Sequence, residues 1–164
     1  MLTFSKRMQA ASNTYMITGV IMRPFNELSE GKDWFINWLK NHHFTDIVDT
    51  DTISRYYHWD VEATLNGERY AFELKNRTFP SYKFGDAAVN YDKYEYLLDC
   101  PHKAIFVTFW TDCFIMIDVK NCHPDEDITR QCPHQTRFPD HQIISKKMVR
   151  WKIQNMKLLK YDQI

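Results

Sequence analysis

The chain has 164 residues, enough for one domain with a core that needs no staples. Hydrophobic residues make up 44% and charged residues 26%, with only 4 Gly and 6 Pro, which excludes a disordered, linker-rich or fibrous chain. Lys+Arg 21 balances Asp+Glu 21, so attraction to nucleic acid through bulk charge is excluded, while a local basic site is not. Cys100, Cys113, Cys122 and Cys132 form no CxxC pair and read as free thiols of a reducing compartment. No apolar run approaches the ~18 residues of a membrane span. The opening Met1–Arg7 has no apolar stretch after its charges, so no signal peptide is expected. The expectation is one domain over 1–164, cytoplasmic and without membrane contact.

Residues 1–28 give no clear pattern. Ser29 can cap a helix over about 30–42, with Trp34, Phe35, Trp38 and Leu39 at helical spacing. Phe44–Val48 reads as a short strand. Residues 56–65 alternate, with Trp59, Val61 and Ala63 on one side and Asp60, Glu62 and Thr64 on the other. Asn66-Gly67 follows, the strongest two-residue hairpin signal. In the return strand, Tyr70, Phe72 and Leu74 alternate with Ala71, Glu73 and Lys75. Arg77–Phe84 reads as a loop. Asp86 can cap a helix reaching about Leu98, with Ala87, Tyr91, Tyr94 and Leu98 on one face, and Pro101 ends it. Ala104–Trp110 and Cys113–Val119 read as buried strands. Residues 121–141 hold three of the six prolines and no periodicity, which predicts a loop. A final strand is expected within Ile143–Ile153. This order suggests an α/β or α+β sheet with helices on both faces.

A two-residue turn at Asn66-Gly67 pairs Leu65 with Glu68 and therefore sets Asp60 opposite Glu73 and His58 opposite Lys75. Trp59 would then meet Leu74, and Val61 would meet Phe72, on one apolar face. Like charges directly opposed across a strand pair are destabilising, and a divalent cation between them would reverse the sign. Lys75 shares the face of Glu73 and can reach a bound water or a phosphate oxygen. Two carboxylates and a lysine at one spot suit phosphodiester hydrolysis. Glu30-Gly-Lys32 and Asp118-Val-Lys120 show the same triplet without a facing acid. The competing reading of Asp60, Glu73 and Lys75 is a solvated polar face on an edge hairpin.

Asp60 followed by Glu73-Leu74-Lys75 resembles the D…(D/E)xK core of the PD-(D/E)XK nuclease superfamily, most of all its small stand-alone bacterial and phage members. The resemblance covers residues ~30–120: a leading helix, a hairpin bearing the motif, a helix and a further strand. Trp59 stands where the family has proline. The resemblance implies a restriction-endonuclease-like core, a central mixed β-sheet flanked by helices. It also implies a Mg²⁺ or Mn²⁺ ion held by Asp60, Glu73 and the Leu74 carbonyl, with Lys75 positioning or deprotonating the attacking water. Glu30, with Glu27 behind it, is the candidate for the family's extra acid in the leading helix. Asn90-Tyr91-Asp92-Lys93-Tyr94 resembles the Q-x-x-x-Y element of the RecB-like branch, with Asn90 for Gln, Lys93 as an alternative phosphate contact, and Tyr94.

Other groups read differently. His58 is a polar strand residue, Glu62 a solvated surface acid, Asp49 and Asp51 loop acids. Cys122, His123, Cys132 and His134, flanked by Cys113 and His141, are zinc-type ligands in a spacing that fits no standard finger. His42-His43 suit a helix C-terminus. From His141 to Tyr161 the chain carries Lys146, Lys147, Arg150, Lys152, Lys157 and Lys160 with no acid. With Trp151 and Tyr161 interleaved, Lys146, Lys147, Arg150 and Lys152 could follow a nucleic-acid backbone. The expectation is a Mg²⁺-dependent deoxyribonuclease with DNA as partner. The alternative is a non-catalytic module that keeps the fold to bind nucleic acid or protein. A core this small leaves little room for a recognition domain, so a homodimer or protein partner stays open.

Overall fold

The computed structural model describes residues 23–54, 57–133 and 143–161. The chain is α/β. Helix α1 (Leu28–Asn41) is followed by strands β1 (Thr45–Asp49), β2 (Val61–Leu65), β3 (Glu68–Asn76) and β4 (Asp86–Asn90). Helix α2 (Tyr91–Asp99) precedes β5 (Lys103–Phe109), β6 (Phe114–Asp118), β7 (Glu126–Pro133) and β8 (Ile143–Lys152). A mixed five-stranded sheet has the order β1-β2-β3-β5-β6, and β4, β8 and β7 form a second, antiparallel sheet. Strands β3 and β5 run parallel, and every other neighbour in the larger sheet is antiparallel. Among the described residues no helix is long and apolar enough to cross a membrane.

The hairpin forms in the predicted register, Leu65 opposite Glu68 and Val61 opposite Phe72. Asn66 and Gly67 both have positive φ, 53° and 80°, as a tight turn matched to strand twist requires. Strand β3 is not an edge. It lies in the middle of the sheet, and its alternating side chains enter two cores. Tyr70, Phe72 and Leu74 pack with Phe35, Trp38 and Leu39 of α1. Ala71 packs with Phe106, Leu97 of α2, and Val149 and Trp151 of the second sheet. Strand β5 repeats the division, with Ile105, Val107 and Phe109 in the first core and Ala104 and Phe106 in the second. Alternation along a strand places successive side chains on opposite faces, so both cores grip the same backbone.

Several expectations need correction. Helix α1 is capped at Glu27 rather than Ser29. Residues 86–90 are strand β4, and the helix begins only at Tyr91. Ala87, Ala88 and Val89 are small or β-branched and buried, and pairing with β8 supplies hydrogen bonds that a helix would otherwise provide. Leu97, not Leu98, is the buried leucine of α2. Residues 126–133 form β7 despite the nearby prolines, because β8 offers an edge for eight residues of pairing.

Strand β2 starts at Val61, so Trp59 and Asp60 precede the ladder. Trp59 turns to the second core and does not meet Leu74, which lies in the first. Glu62 is buried rather than solvated. Its carboxylate accepts hydrogen bonds from Trp59 Nε1 at 2.7 Å, Tyr57 Oη at 3.2 Å and the Arg69 guanidinium at 2.7 and 3.2 Å. Hydrogen bonds to a charged acceptor are each worth about 1.5–3 kcal/mol. Glu62→Ala takes the acceptor from the Trp59 indole and from Nε and Nη2 of Arg69, whose Nη1 keeps the Asp46 carbonyl. We expect it to lower stability by about 2 kcal/mol, read as a fall of roughly 4–8 °C in Tm. Glu62→Gln, which keeps the shape, should fall less. An unchanged Tm for Glu62→Ala would show that the cluster adds no stability.

Candidate active site

Three elements converge at the C-terminal half of β3. The strand supplies Glu73 and Lys75, the segment entering β2 supplies Asp60, and the first turn of α2 supplies Lys93. Asp60 is held by the backbone: its Oδ2 accepts the Leu74 N–H at 2.7 Å, and its own N–H donates to the Phe72 carbonyl at 2.9 Å. The acid reaches its place as a short irregular extension of the hairpin rather than as a laddered residue. That tether aims Asp60 at β3 beside Glu73, and its charge is felt there.

The electrostatics follow from scarce water. Burial pushes the Glu73 carboxyl up to about 7, and the neighbouring Asp60 charge adds to the rise. Asp60 is also raised, first by burial, against the lowering effect of the Leu74 N–H. Lys93 Nζ lies 3.1 Å from Glu73 Oε2 and 3.0 Å from the His58 carbonyl, pulling Glu73 the other way without prevailing. Lys75 keeps an exposed surface, yet loss of water around its ammonium pushes its pKa down, and the Arg77 cation adds to the fall. Lys146 of β8 acts on Lys75 in the same direction, which brings one basic tail residue to the site.

A cavity of about 160 Å³ adjoins Asp60 and is lined by Leu28, Ser29, Lys32, Asp51, Asp60 and Leu74. Lys32 of α1 pairs there with Asp49 at 2.9 Å and also with Asp51. Asp49 and Asp51 are thus ion-paired rather than idle loop acids. Glu30 is elsewhere in role: its Oε2 accepts the N–H groups of Asn26 and Glu27, which satisfies free donors at the start of α1. The helix therefore presents Lys32, not Glu30, toward Asp60. Nothing in the Glu30-Gly-Lys32 triplet alone separates these roles; the turn spacing that puts Glu30 at the third helical position is the signal.

The remaining candidates fall into place. Asn90 stands at the N-cap position of α2, exposed and without a side-chain capping bond, while Tyr94 is buried against Trp151 with ring centroids 5.9 Å apart. His58 stacks on Tyr96 at 4.0 Å and stands outside the ladder, not opposite Lys75. His42 is the C-cap of α1 and stacks on Trp38. In the basic tail, Lys147 pairs with Asp127 at 3.6 Å, Lys152 with Glu126 at 2.7 Å, and Arg150 with Asp86 and Glu126. Trp151 and Tyr161 are core residues, not stacking platforms. The acids that answer this tail lie on β4 and β7, remote in sequence. Among the described residues no group of three His, Cys, Asp or Glu is placed to hold a metal ion. Of the zinc-type set, Cys113 is buried, whereas His134, His141 and the Cys132 side chain lie outside the described residues.

The sequence motif implies a divalent cation, and the oxygens of Asp60 and Glu73 are the donors the chain offers it. Two carboxylates share a poorly hydrated spot. Asp60 Oδ1 and Glu73 Oε1 take no hydrogen bond from the described residues, and the Leu74 carbonyl is the next backbone oxygen. Oxygen donors of this kind suit Mg²⁺ or Mn²⁺, and a cation would offset the burial that raises both acids and the Asp60 charge that adds to the rise at Glu73. Thr108, paired with Lys75 across β3 and β5, adds a buried hydroxyl with no hydrogen-bond partner among the described residues. Sequence reading missed Thr108 and Lys32, because neither sits in the triplet.

No family model matches the chain, and no curated protein or solved structure is significantly similar to it.

The raised Glu73 makes stability depend on pH with a defined sign. Between its ordinary value of 4.5 and about 7, the folded protein holds a proton that the unfolded chain releases. The stabilisation is complete below about 4.5 and lost as pH rises through 7, on the order of 3 kcal/mol in metal-free buffer. Glu73→Gln should flatten that limb and exceed wild type in stability at pH 8. Urea unfolding across pH 4.5–8 in EDTA reads this directly, and parallel curves for the two proteins would contradict it.

Proposed function

We propose that the protein is a metal-dependent nuclease that hydrolyses DNA through Asp60, Glu73 and Lys75. The observation that carries the reading is the tether from Leu74 to Asp60, which brings a second carboxylate to the Glu-Leu-Lys triplet where water is scarce. The order α1, hairpin β2–β3, α2, β5 agrees with the restriction-endonuclease-like core that the motif implies, and β5 lies parallel to the motif strand. A bound Mg²⁺ or Mn²⁺ would lower the pKa of its water and offset charge on the phosphate.

The chain's own groups do the rest. Asp60 and Glu73 would hold the cation, with the Leu74 carbonyl beside them. Lys75 holds and orients the attacking water, and its depressed pKa brings it nearer to accepting a proton. Lys93 shields Glu73 from the approaching phosphate, a repulsion two bare carboxylates would otherwise exert. The same ion pair favours the second reading, a non-catalytic DNA- or protein-binding module, because Lys93 can neutralise Glu73 without metal.

Nicking of a supercoiled plasmid in Mg²⁺ or Mn²⁺ separates the two. Asp60→Ala, Glu73→Ala and Lys75→Ala should each abolish it, and Glu62→Gln should retain it. Thermal unfolding gives a second readout. Free metal at ten times Kd stabilises by about 1.4 kcal/mol, a rise of roughly 3–6 °C in Tm. Wild type should show the rise and Asp60→Asn little of it. Equal shifts would remove Asp60 from the ligands.

Lys146 is the tail residue whose charge acts on Lys75, whereas Lys152 is occupied by Glu126. Lys146→Ala should therefore reduce the slope of log K against log salt by roughly 0.9 on duplex DNA. Lys152→Ala should change it less. Equal changes would mean that the ion pairs do not decide which lysines meet phosphate.

A further inference from the structure

Strand β3 runs out of the site directly into the loop at residues 77–85, whose outer surface is aromatic. Tyr82 is 81% exposed and Phe84 59% exposed. Such rings normally seek cover, so two of them side by side on one loop call for an account. The loop itself is firmly anchored. Arg77 N–H donates to the Phe109 carbonyl at 2.8 Å, and Arg77 Nη2 reaches the Ala88 carbonyl at 2.8 Å. Ser81 is buried, and its N–H and hydroxyl both meet Asp112, at 2.8 and 2.7 Å. Ile153 N–H donates to the Gly85 carbonyl at 3.1 Å, where Gly85 takes φ +64° to turn the chain into β4. The anchors point inward, and the rings between them point out.

The chemistry of the loop is that of a stacking platform. Phe79 and Phe84 meet edge to face at 4.9 Å, and Lys83 Nζ stands 5.4 Å from each ring centroid. From Leu74 to Gly85 the sequence carries no acid, and beside the inward-turned Arg77 it presents two exposed cations, Lys75 and Lys83. Cations interleaved with exposed aromatics complement a phosphate backbone whose bases are free to stack. Bases within a duplex are already stacked and offer no face to a ring at the loop's tip. We infer that Tyr82 and Phe84 stack unpaired bases and that this loop gives the site a preference for single-stranded DNA, including single-stranded segments next to a duplex. This deepens the nuclease reading and rests on it for the direction of the strand, from the loop toward Lys75.

The test measures binding without cleavage, so that the two readings fail separately. A fluorescently labelled 20-nucleotide single strand and a blunt 20-base-pair duplex are titrated with full-length protein in EDTA, followed by anisotropy. Tyr82→Ala should weaken single-strand binding about tenfold, in line with the loss of one base–aromatic contact, and change duplex binding less than about twofold. Tyr82→Phe should restore most of the affinity, since the ring and not the hydroxyl is needed. Phe84→Ala should weaken the single strand in the same direction. Equal affinity of wild type and Tyr82→Ala for the single strand would overturn the proposal. So would a parallel loss on duplex, or a dimer in wild type that Tyr82→Ala converts to monomer in sedimentation, which would make the rings a contact between two copies. Plasmid nicking in Mg²⁺ is scored apart: its absence in wild type would end the nuclease reading and leave the anisotropy result to stand on its own.

Discussion

Strand β3 has a separate core on each of its faces, and this double burial governs the molecule. Each face demands side chains at every second position, so one residue of slippage would exchange Phe72 for Glu73 in the packing against α1. The tight turn at Asn66-Gly67 and the two apolar sets therefore enforce a single register. The face toward α2 and the second sheet is apolar at Ala71 but polar at Glu73 and Lys75. Where the apolar contacts on that face stop, the candidate site begins. Its chemistry is a by-product of position: the walls that bury Ala71 also strip water from Glu73.

The site is arranged so that repulsion between like charges is held rather than relieved. Asp60 is fixed through a backbone N–H, a donor that cannot rotate away, and Glu73 is fixed by the central strand. Lys93 and Lys32 flank the pair, one on Glu73 and the other on the Asp49–Asp51 acids beside Asp60. Helices α1 and α2 thus each send one lysine toward the acids from opposite sides of the sheet. The arrangement gives the carboxylates partial charge balance while leaving one oxygen on each without a described donor.

Much of this was legible in the residues. The Asn-Gly turn predicts the hairpin, and its register, taken with the Glu-Leu-Lys triplet and the family resemblance, singles out Asp60, Glu73 and Lys75 as candidates. The site differs in its local geometry, because Trp59 leaves the alternating pattern to donate to Glu62 and carries Asp60 off the ladder. Periodicity reads which residues are apolar and cannot report that an indole prefers a buried carboxylate. The second sheet was half hidden for a related reason. Asp86–Asn90 carries a capping aspartate and two alanines, which suit a helix locally, and pairing with β8 overrides that preference from a distance. The basic tail misled similarly: Glu126 and Asp86, which answer Arg150, lie on other strands. Charge balance across a sheet is not visible along a chain.

The pairing of β4 with β8 also has a consequence in time. Residues 86–90 can close their ladder only on residues 148–152, which emerge from a ribosome long after them. Until then Ala87 and Val89 lack the Trp151 and Val149 that cover them, and Lys75 lacks the nearby charge of Lys146. A nascent chain that has already produced the hairpin and both acids thus still lacks one wall of its second core. Completion of the second core is tied to the emergence of β8, so the packing on the face of β3 that carries Ala71, Glu73 and Lys75 closes only late in synthesis.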